Sequence, residues 1–395
     1  MANIFSIQTL NKISHDGLKR FPQPQYLIGN EVEKPDAILV RSQNMHDMPI
    51  PTSVIAIARA GAGTNNIPIP VMSERGVPVF NAAGANANAV KELVLAGMLM
   101  AARNIIPSLQ FTASLRGDDA TLHQLVEEGK KSFVGSELKG RSLGVVGLGA
   151  IGRLVADMAL ALGMKVYGFD PEITVDAAWS LSASVKKCNT IEELLRHCDF
   201  VSLHVPLLPA TRGLMNAQRL AVLKKNAILL NFSRDAIVDT EAVIASLDNK
   251  HLRYYVCDFP EVKIAGHAQV IALPHLGAST NEAEENCAVM VVDQVRDYLE
   301  HGNLTNSVNF PNLFMARESN HRLSIAHNNV PNMLGQISTT LAKASVNIHN
   351  MINKSRGDLA YTLVDNDSPI IEKVVKELKT IPGVLLVRNL PMLDL

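Results

Sequence analysis

An apolar stretch, Leu143 to Val146, runs straight into three glycines spaced G-x-G-x-x-G: Gly147, Gly149 and Gly152. Few local patterns leave a chain so little choice. The first glycine permits a tight turn, the second lets backbone approach a pyrophosphate, and the third lets helix and strand pack closely, which aims free helix N–H groups at phosphate. Such spacing arises by chance in loops, but here the required context follows in order: strand, turn, amphipathic helix Ile151 to Leu162, and a second strand Lys165 to Asp170. Asp170 at that strand's end can accept from two ribose hydroxyls and repel a 2′-phosphate, which favours NAD over NADP. Gly147, Gly149, Ala150, Ile151, Gly152 and Asp170 are therefore the expected dinucleotide contacts.

The chain has 395 residues, enough for two or three domains with their own cores. Its net charge of −1 and 47% apolar content point to small-molecule partners and away from nucleic acid or an anionic membrane surface. Cys188, Cys198, Cys257 and Cys287 show no C-x-x-C spacing, so they read as reduced thiols of a cytoplasmic enzyme without a metal site. The N-terminal residues lack the basic region and apolar core of an export signal. The longest apolar run, Leu93 to Ala102, is about half the length needed to cross a bilayer, and it reads as a buried helix linking two domains of a soluble protein.

Short β-type runs, Ala37–Val40, Ser53–Ala58 and Val77–Asn81, precede a helix that begins near Asn88. A second series follows, with strands near 142–147, 165–170, 199–205, 226–232, 254–258 and 270–273. The sequence Thr190-Ile-Glu-Glu193 opens one of the intervening helices as a capping box. Six strands with helices between them suit a doubly wound parallel sheet. Residues 304–315 shift to Asn, Pro and Ser and read as a linker. Beyond it the order is strand His321–His327, helix Met333–Ala344, strands Asn347–Lys354 and Asp358–Asp365, helix Ile370–Leu378 and strand Leu385–Asn389. This βαββαβ pattern is ferredoxin-like. The tail offers no phosphate loop and no nucleophile–base pair, which points to sensing or assembly.

Oxidation of an alcohol beside a nicotinamide needs a base for the hydroxyl proton and a cation for the substrate carboxylate. Ligands lie at the carboxyl ends of strands in open α/β sheets, and two strands end suggestively: Ala227–Phe232 in Ser233-Arg234, and Val270–Leu273 in Pro274-His275-Leu-Gly277. Alone, such an arginine is often a surface ion-pair partner and such a histidine a loop hydrogen-bonder. His204-Val-Pro206 also ends a strand, and reads as a turn shaping the cofactor pocket.

Together, Arg59-Ala-Gly-Ala-Gly63-Thr-Asn-Asn66-Ile, Asn81 to Glu92, Gly147 to Gly152, His204-Val-Pro-Leu-Leu, Asn231-Phe-Ser-Arg234, Asp258 and Pro274-His275-Leu-Gly-Ala-Ser-Thr280 resemble the D-isomer-specific 2-hydroxyacid dehydrogenases. Within them the chain is similar to phosphoglycerate-oxidising members with a C-terminal ACT domain. The resemblance implies a Rossmann-type doubly wound parallel sheet (residues 95–283) inserted in a second α/β, substrate-binding domain (1–94, returning at 284–312), and a regulatory domain at 318–395. The active site would lie in the cleft between the first two. It implies NAD-dependent oxidation of D-3-phosphoglycerate to 3-phosphohydroxypyruvate, the entry to serine biosynthesis.

In that frame His275 is the acid/base, Arg234 binds the carboxylate and polarises the C2 oxygen, and a glutamate pairs with the histidine. The chain reads Asp258-Phe-Pro-Glu261 where the family has a longer segment, and Glu261 is the expected partner. His204, Pro206, Phe232, Ser233, Asp258 and Gly277 would complete the cofactor site. Arg41 and Ser42 would hold the phosphate, with Gln43 where a second arginine often follows. The Ala60–Gly63 backbone, Ala60 and Gly61 foremost, would bind the carboxylate, and Asn86 the substrate. In the tail, His327, Asn329 and Asn347 match in spacing the residues that hold L-serine as an effector, while Asn332 replaces a usual glycine. A homo-oligomer is implied, with dimerisation through the tail alone as the plainer role for that domain. Reduction of an unphosphorylated 2-keto acid, or a dinucleotide-sensing corepressor-like binding role, are the alternatives.

Overall fold

Runs of aliphatic residues too short for helices become parallel strands in the computed structural model, which describes residues 4–392. The chain divides into two compact units, one built from the segments up to Asn86 and from Asn281 onward, the other from Ala87–Thr280.

The first unit opens with β1 (Phe5–Leu10), β2 (Tyr26–Gly29), β3 (Ala37–Val40), β4 (Ala56–Arg59) and β5 (Val79–Asn81), a parallel sheet ordered β2-β1-β3-β4-β5. Every residue of β3 is buried because it is central and covered on both faces, which is why its sequence is uninterruptedly apolar. The edge pair β1 and β2 mixes polar with apolar residues and escapes a search for apolar runs. One face of the sheet packs Ile7, Leu39 and Phe80 against Val291, Val295 and Tyr298 of the long helix Asn281–His301.

The second unit holds β6 (Ser142–Val146), β7 (Lys165–Phe169), β8 (Lys186–Lys187), β9 (Phe200–Leu203), β10 (Ala227–Asn231), β11 (Leu252–Cys257) and β12 (Val270–Ala272). They form a parallel sheet ordered β12-β11-β10-β9-β6-β7-β8. The strand order reverses between β6 and β9, the topological switch point of a Rossmann-type sheet, and ligands of such sheets bind there. Helix Ala150–Ala161 buries Gly152, Val155, Ala156 and Ala159 on it. Helix Ala87–Ala102 lies in this unit, where a Cβ on Gly97 would come within 2.9 Å of Val256 and 3.1 Å of Phe232. The Thr190 cap forms as read, its hydroxyl accepting the Glu193 N–H at 3.1 Å, but the Glu193 carboxylate reaches back to the Asn189 N–H at 2.8 Å, one residue beyond the usual partner.

Residues 304–315, read from composition as a linker, are largely packed within the first unit. Leu304, Phe310 and Leu313 are buried, and Asn309 is buried with its amide taking the Val79 N–H at 2.9 Å and donating to the Val77 carbonyl at 3.0 Å. Asparagine and serine serve there as satisfied buried polar groups, a use that composition cannot distinguish from solvation.

The tail contributes β13 (His321–Asn328), β14 (Ile348–Arg356), β15 (Leu359–Asn366) and β16 (Val384–Asn389) in an antiparallel sheet ordered β14-β15-β13-β16, with helices Met333–Lys343 and Glu372–Lys379 between strands. Leu323, Ile325 and Val364 meet the helices on one face, while Ala326, Tyr361 and Leu363 join the core of the parallel sheet and the long helix on the other. The tail therefore belongs to the first unit. Fully buried Arg322 forks onto Asp365 at 2.5 and 2.7 Å and donates to the carbonyls of Met315 and Ala316, both at 2.8 Å. Arg388 lies over the Tyr298 ring at 4.3 Å and donates to the Tyr298 and Leu299 carbonyls, neutralising the negative end of the long helix.

Removing one member of the Arg322–Asp365 pair strands the other in the core. Arg322→Met or Asp365→Asn should each cost about 3–5 kcal/mol in urea unfolding, and Arg322→Met with Asp365→Leu together less than the sum.

Candidate active site

The dinucleotide loop is built as its glycines require. Gly147 has φ +89, and a Cβ there would sit 2.6 Å from the His204 carbonyl oxygen. A Cβ on Gly152 would lie 1.9 Å from the Gly147 oxygen, whereas one on Gly149 would meet nothing within 4 Å. Gly149 therefore leaves room for a ligand rather than for protein. The first helical turn begins with Arg153 donating to the Gly149 carbonyl at 3.0 Å, and among the described residues the N–H groups of Gly149, Ala150 and Ile151 have no acceptor. This combination of open approach and unpaired donors fits a pyrophosphate. The Asp170 carboxylate accepts the Leu148 N–H at 2.8 Å and the Glu172 N–H at 3.0 Å, so it braces the loop with lone pairs left for ribose hydroxyls.

Around it, Ser233 ties adjacent strand ends together by donating to the Leu203 carbonyl at 2.6 Å, and Phe232 is buried beside Gly97. The Pro206 carbonyl accepts the Thr211 hydroxyl at 2.6 Å and closes the turn after β9. His204 Nε2 meets the Ser202 hydroxyl at 2.8 Å while Nδ1 is buried without a partner. Burial pushes the imidazole down to about 3, so it is neutral at physiological pH and suits pocket-shaping rather than proton transfer.

Arg234 follows β10 with an exposed guanidinium that no carboxylate among the described residues pairs. His275 follows β12 in a left-handed conformation, φ 58, that costs energy for a side chain of this kind. What holds it is Asp258, 1% exposed at the end of β11, whose two oxygens accept the N–H groups of Leu276 and Gly277, each at 2.7 Å. Burial raises the Asp258 pKa while those N–H groups lower it. Gly277 is needed because a Cβ there would stand 3.1 Å from an Asp258 oxygen. The His275 ring tilts against Phe259 with centroids 5.0 Å apart.

The expected pairing of Glu261 with His275 is not made in this structure. Glu261 starts a turn closed by Ala265 and its carboxylate accepts the Thr240 hydroxyl at 2.9 Å. Asp258, read as a cofactor contact, is the carboxylate that fixes the histidine loop. Its position directly at a strand end was the available signal.

In the first unit, Arg41 and Ser42 follow β3, and Arg41 forms an ion pair with Glu284 in the first turn of the long helix. Asn11 accepts the N–H groups of Ser42 and Gln43 at 3.1 and 2.7 Å. Two N–H groups of the carboxylate cradle expected at Ala60–Gly63 are already engaged: the Ala60 N–H bonds the Val40 carbonyl and the Gly61 N–H the Arg59 carbonyl, both at 2.8 Å. The turn of the chain at the strand end consumes them. The Asn86 amide oxygen is buried with no partner, an acceptor that a ligand hydroxyl would satisfy.

Of the three tail residues, His327 is buried, its Nδ1 against the Asn328 carbonyl at 2.8 Å and its Nε2 against the Thr362 hydroxyl at 2.9 Å, which in turn donates to Asn353. Asn329 and Asn347 are exposed, and no contact joins the three. Asn332 takes φ 60, so asparagine does supply the left-handed turn before the helix.

Residues 95–277 match the model of the D-isomer specific 2-hydroxyacid dehydrogenase, NAD binding domain. The chain is 34% identical to the D-3-phosphoglycerate dehydrogenase of Haemophilus influenzae over 350 residues, 85% of this chain and 81% of that one. The chain belongs to this dehydrogenase family. It is an NAD-dependent oxidoreductase. The Escherichia coli enzyme of the same name is 30% identical over 85% of this chain and 82% of its own. The Methanocaldococcus jannaschii enzyme is 36% identical over 78% of this chain, which spans 57% of that longer protein. In fold it is similar to apo D-mandelate dehydrogenase of Rhodotorula graminis, TM-score 0.66 at 22% identity over 80% of this chain and all of that one. It is also similar in fold to the NAD+-bound 3-phosphoglycerate dehydrogenase of Entamoeba histolytica, TM-score 0.58 at 24% identity over 79% of this chain and all of that one. No helix among the described residues is long and apolar enough to cross a membrane.

Gly149→Ala should fold with a wild-type melting temperature yet raise the NAD dissociation constant about tenfold or more, whereas Gly152→Ala should lower the melting temperature as well; calorimetric titration and thermal melts separate the two. For His204, the unfolded chain takes up a proton below about pH 6.5 that the folded protein refuses until about pH 3. Its stabilising contribution is thus present above that window and lost as pH falls through it. His204→Gln should flatten the drop in melting temperature between about pH 6.5 and about pH 5.

Proposed function

We propose that the protein oxidises D-3-phosphoglycerate to 3-phosphohydroxypyruvate with NAD, the first step of L-serine biosynthesis. The observation carrying this is identity to phosphoglycerate dehydrogenases over 350 residues, far beyond the NAD-binding domain, so that it takes in much of the unit that presents Arg41 and Ser42. A guanidinium and a hydroxyl suit a phosphate monoester.

In this reading the loop from Gly147 to Gly152 and Asp170 hold NAD, whose nicotinamide supplies the hydride acceptor when bound. Arg234 holds the substrate carboxylate and polarises the C2 oxygen. His275 takes the C2 hydroxyl proton through its imidazole, and Asp258 keeps that imidazole aimed by clamping the two backbone N–H groups that follow it. Glu261 stabilises the turn beside Thr240. His275→Ala should lower kcat by about 10²–10⁴-fold. Asp258→Asn should lower it by about tenfold or more with little change in the NAD dissociation constant, while Glu261→Gln leaves the pH–rate profile unchanged; rapid-mixing and steady-state rates check each.

The tail's βαββαβ order and its strand order support an ACT-type regulatory domain. Serine binding there would use exposed Asn329 and Asn347, with His327 acting through its buried chain to Thr362 and Asn353. The implied homo-oligomer is supported by helices Ile105–Ser114 and Asp119–Gly129, which bury none of their residues despite apolar side chains such as Leu109 and Val126.

The deciding assay is NADH formation with 3-phosphoglycerate against D-glycerate, with and without L-serine. Phosphoglycerate-dependent turnover is the expected result, and suppression by serine would add the tail assignment. No turnover in the presence of a product trap would overturn the reading in favour of 2-keto acid reduction.

A further inference from the structure

Behind the loops that carry Arg234 and His275 lies a row of buried polar side chains outside the reacting groups. Parallel pairing sets Asn231 of β10 opposite Cys257 of β11, and Leu229 opposite Tyr255. Tyr255 and Cys257 stand two residues apart on one strand, so their side chains share a face; both pack in the core that holds Leu229, while Tyr254 and Val256 point to the other. Asn231 and Cys257 are fully buried and Tyr255 is 5% exposed. Apolar side chains would fill this space without the cost of burying an amide, a phenol and a thiol, so the polar groups need partners.

They find them in one another. The Asn231 amide oxygen accepts the Ser233 N–H at 3.2 Å, and its nitrogen donates to the Arg234 carbonyl at 2.8 Å and lies 3.4 Å from the Tyr255 hydroxyl oxygen. That hydroxyl reaches the Cys257 thiol, and the thiol donates to the Phe259 carbonyl at 3.6 Å. Burial pushes both the phenol and the thiol up, so each keeps a proton to donate at physiological pH. Phe259 rests its ring against His275, and Asp258, between Cys257 and Phe259, clamps the N–H groups that follow the histidine. One end of the row thus fixes the backbone of Arg234, and the other fixes the residue packed on His275.

We propose that Tyr255 and Cys257 are positioning residues for the reaction: with Asn231 they form a buried strut that sets the Arg234 loop and the His275 loop at one spacing. The inference rests on the roles given to Arg234 and His275 under the phosphoglycerate reading. A 2-hydroxy acid must present its carboxylate to one and its hydroxyl to the other at once, so an error in their separation costs turnover even when each loop is intact. Tyr255 and Cys257 act only through their neighbours.

The test compares full-length wild type, Tyr255→Phe, Cys257→Ala and Cys257→Ser at a temperature where thermal melts show them folded. Tyr255→Phe keeps the ring and removes only the hydroxyl; it should lower kcat/KM for 3-phosphoglycerate about 5–20-fold and leave the NAD dissociation constant within about twofold. Cys257→Ser keeps a donor toward Phe259 and should retain more turnover than Cys257→Ala. In a double-mutant cycle, Tyr255→Phe should cost less in an Arg234→Lys enzyme than in wild type, because the loop it aligns is already impaired. Unchanged kcat/KM in folded Tyr255→Phe overturns the strut, as does NAD binding that weakens in step with turnover, or a cost that adds in full in the cycle. A serine variant no better than the alanine one removes Cys257 from it. If Tyr255→Phe does not fold, the two Cys257 variants decide.

Amide hydrogen exchange needs no turnover and so keeps the strut and the reaction apart. In the substrate-free enzyme, Tyr255→Phe or Cys257→Ala should speed exchange in both 232–238 and 273–279. Should wild type fail to oxidise phosphoglycerate, the proposed function falls, and the strut stands if both segments loosen together. Exchange that changes in neither segment, or in β11 alone, overturns the strut whatever the substrate.

Discussion

Parallel pairing is the constraint on which the site depends. In a parallel sheet every strand ends on the same edge, so loops far apart in sequence gather there without any attraction between them. In the second unit that edge collects Gly147, Asp170, His204, Arg234, Asp258 and His275. In the first it collects Arg41 and Arg59. Each edge is then tightened by polar groups turned inward: Asp170 on the Leu148 N–H, Ser233 on the Leu203 carbonyl, Asp258 on the loop of His275, Asn11 on the loop of Ser42. The loops at each edge are thus held in place by hydrogen bonds from side chains to backbone groups.

The tail shows how a module becomes part of another domain. Its sheet offers helices one face and the parallel sheet's core the other, and both arginines that bind it to the long helix use the unsatisfied carbonyls of that helix's last turn and the segment after it. Burying the Arg322 charge is tolerable only because Asp365 and the backbone carbonyls around it satisfy its donors. Composition alone suggested a linker at residues 304–315, since asparagine, proline and serine serve equally well in solvent and in a satisfied polar core.

Much of this was legible beforehand because local physics dictated it. The glycine spacing works through steric clearance that only glycine provides, visible in the 1.9 Å a Cβ on Gly152 would leave. Strands β6, β9 and β10 of the second unit are buried throughout and so are almost continuously apolar in sequence, and Thr190 and Asn332 act within a single turn. The missing parts depended on pairing between distant segments. Whether Glu261 or Asp258 holds the loop of His275 turns on which carboxylate a strand end points inward, and within the expected cradle the Ala60 N–H was lost to the neighbouring strand and the Gly61 N–H to a turn of its own chain.

The sequence by itself therefore determined the class of fold, the dinucleotide loop, its preference for NAD, and the identity of the arginine and histidine at the strand ends, because those follow from backbone clearance and periodicity within a few residues. Only the tertiary structure decided which groups remain available for chemistry. Hydrogen-bond capacity is finite, and a donor or carboxylate already used by a neighbouring strand, as at Ala60 and His327, or by a neighbouring helix, as at Glu261, looks identical in sequence to one left open.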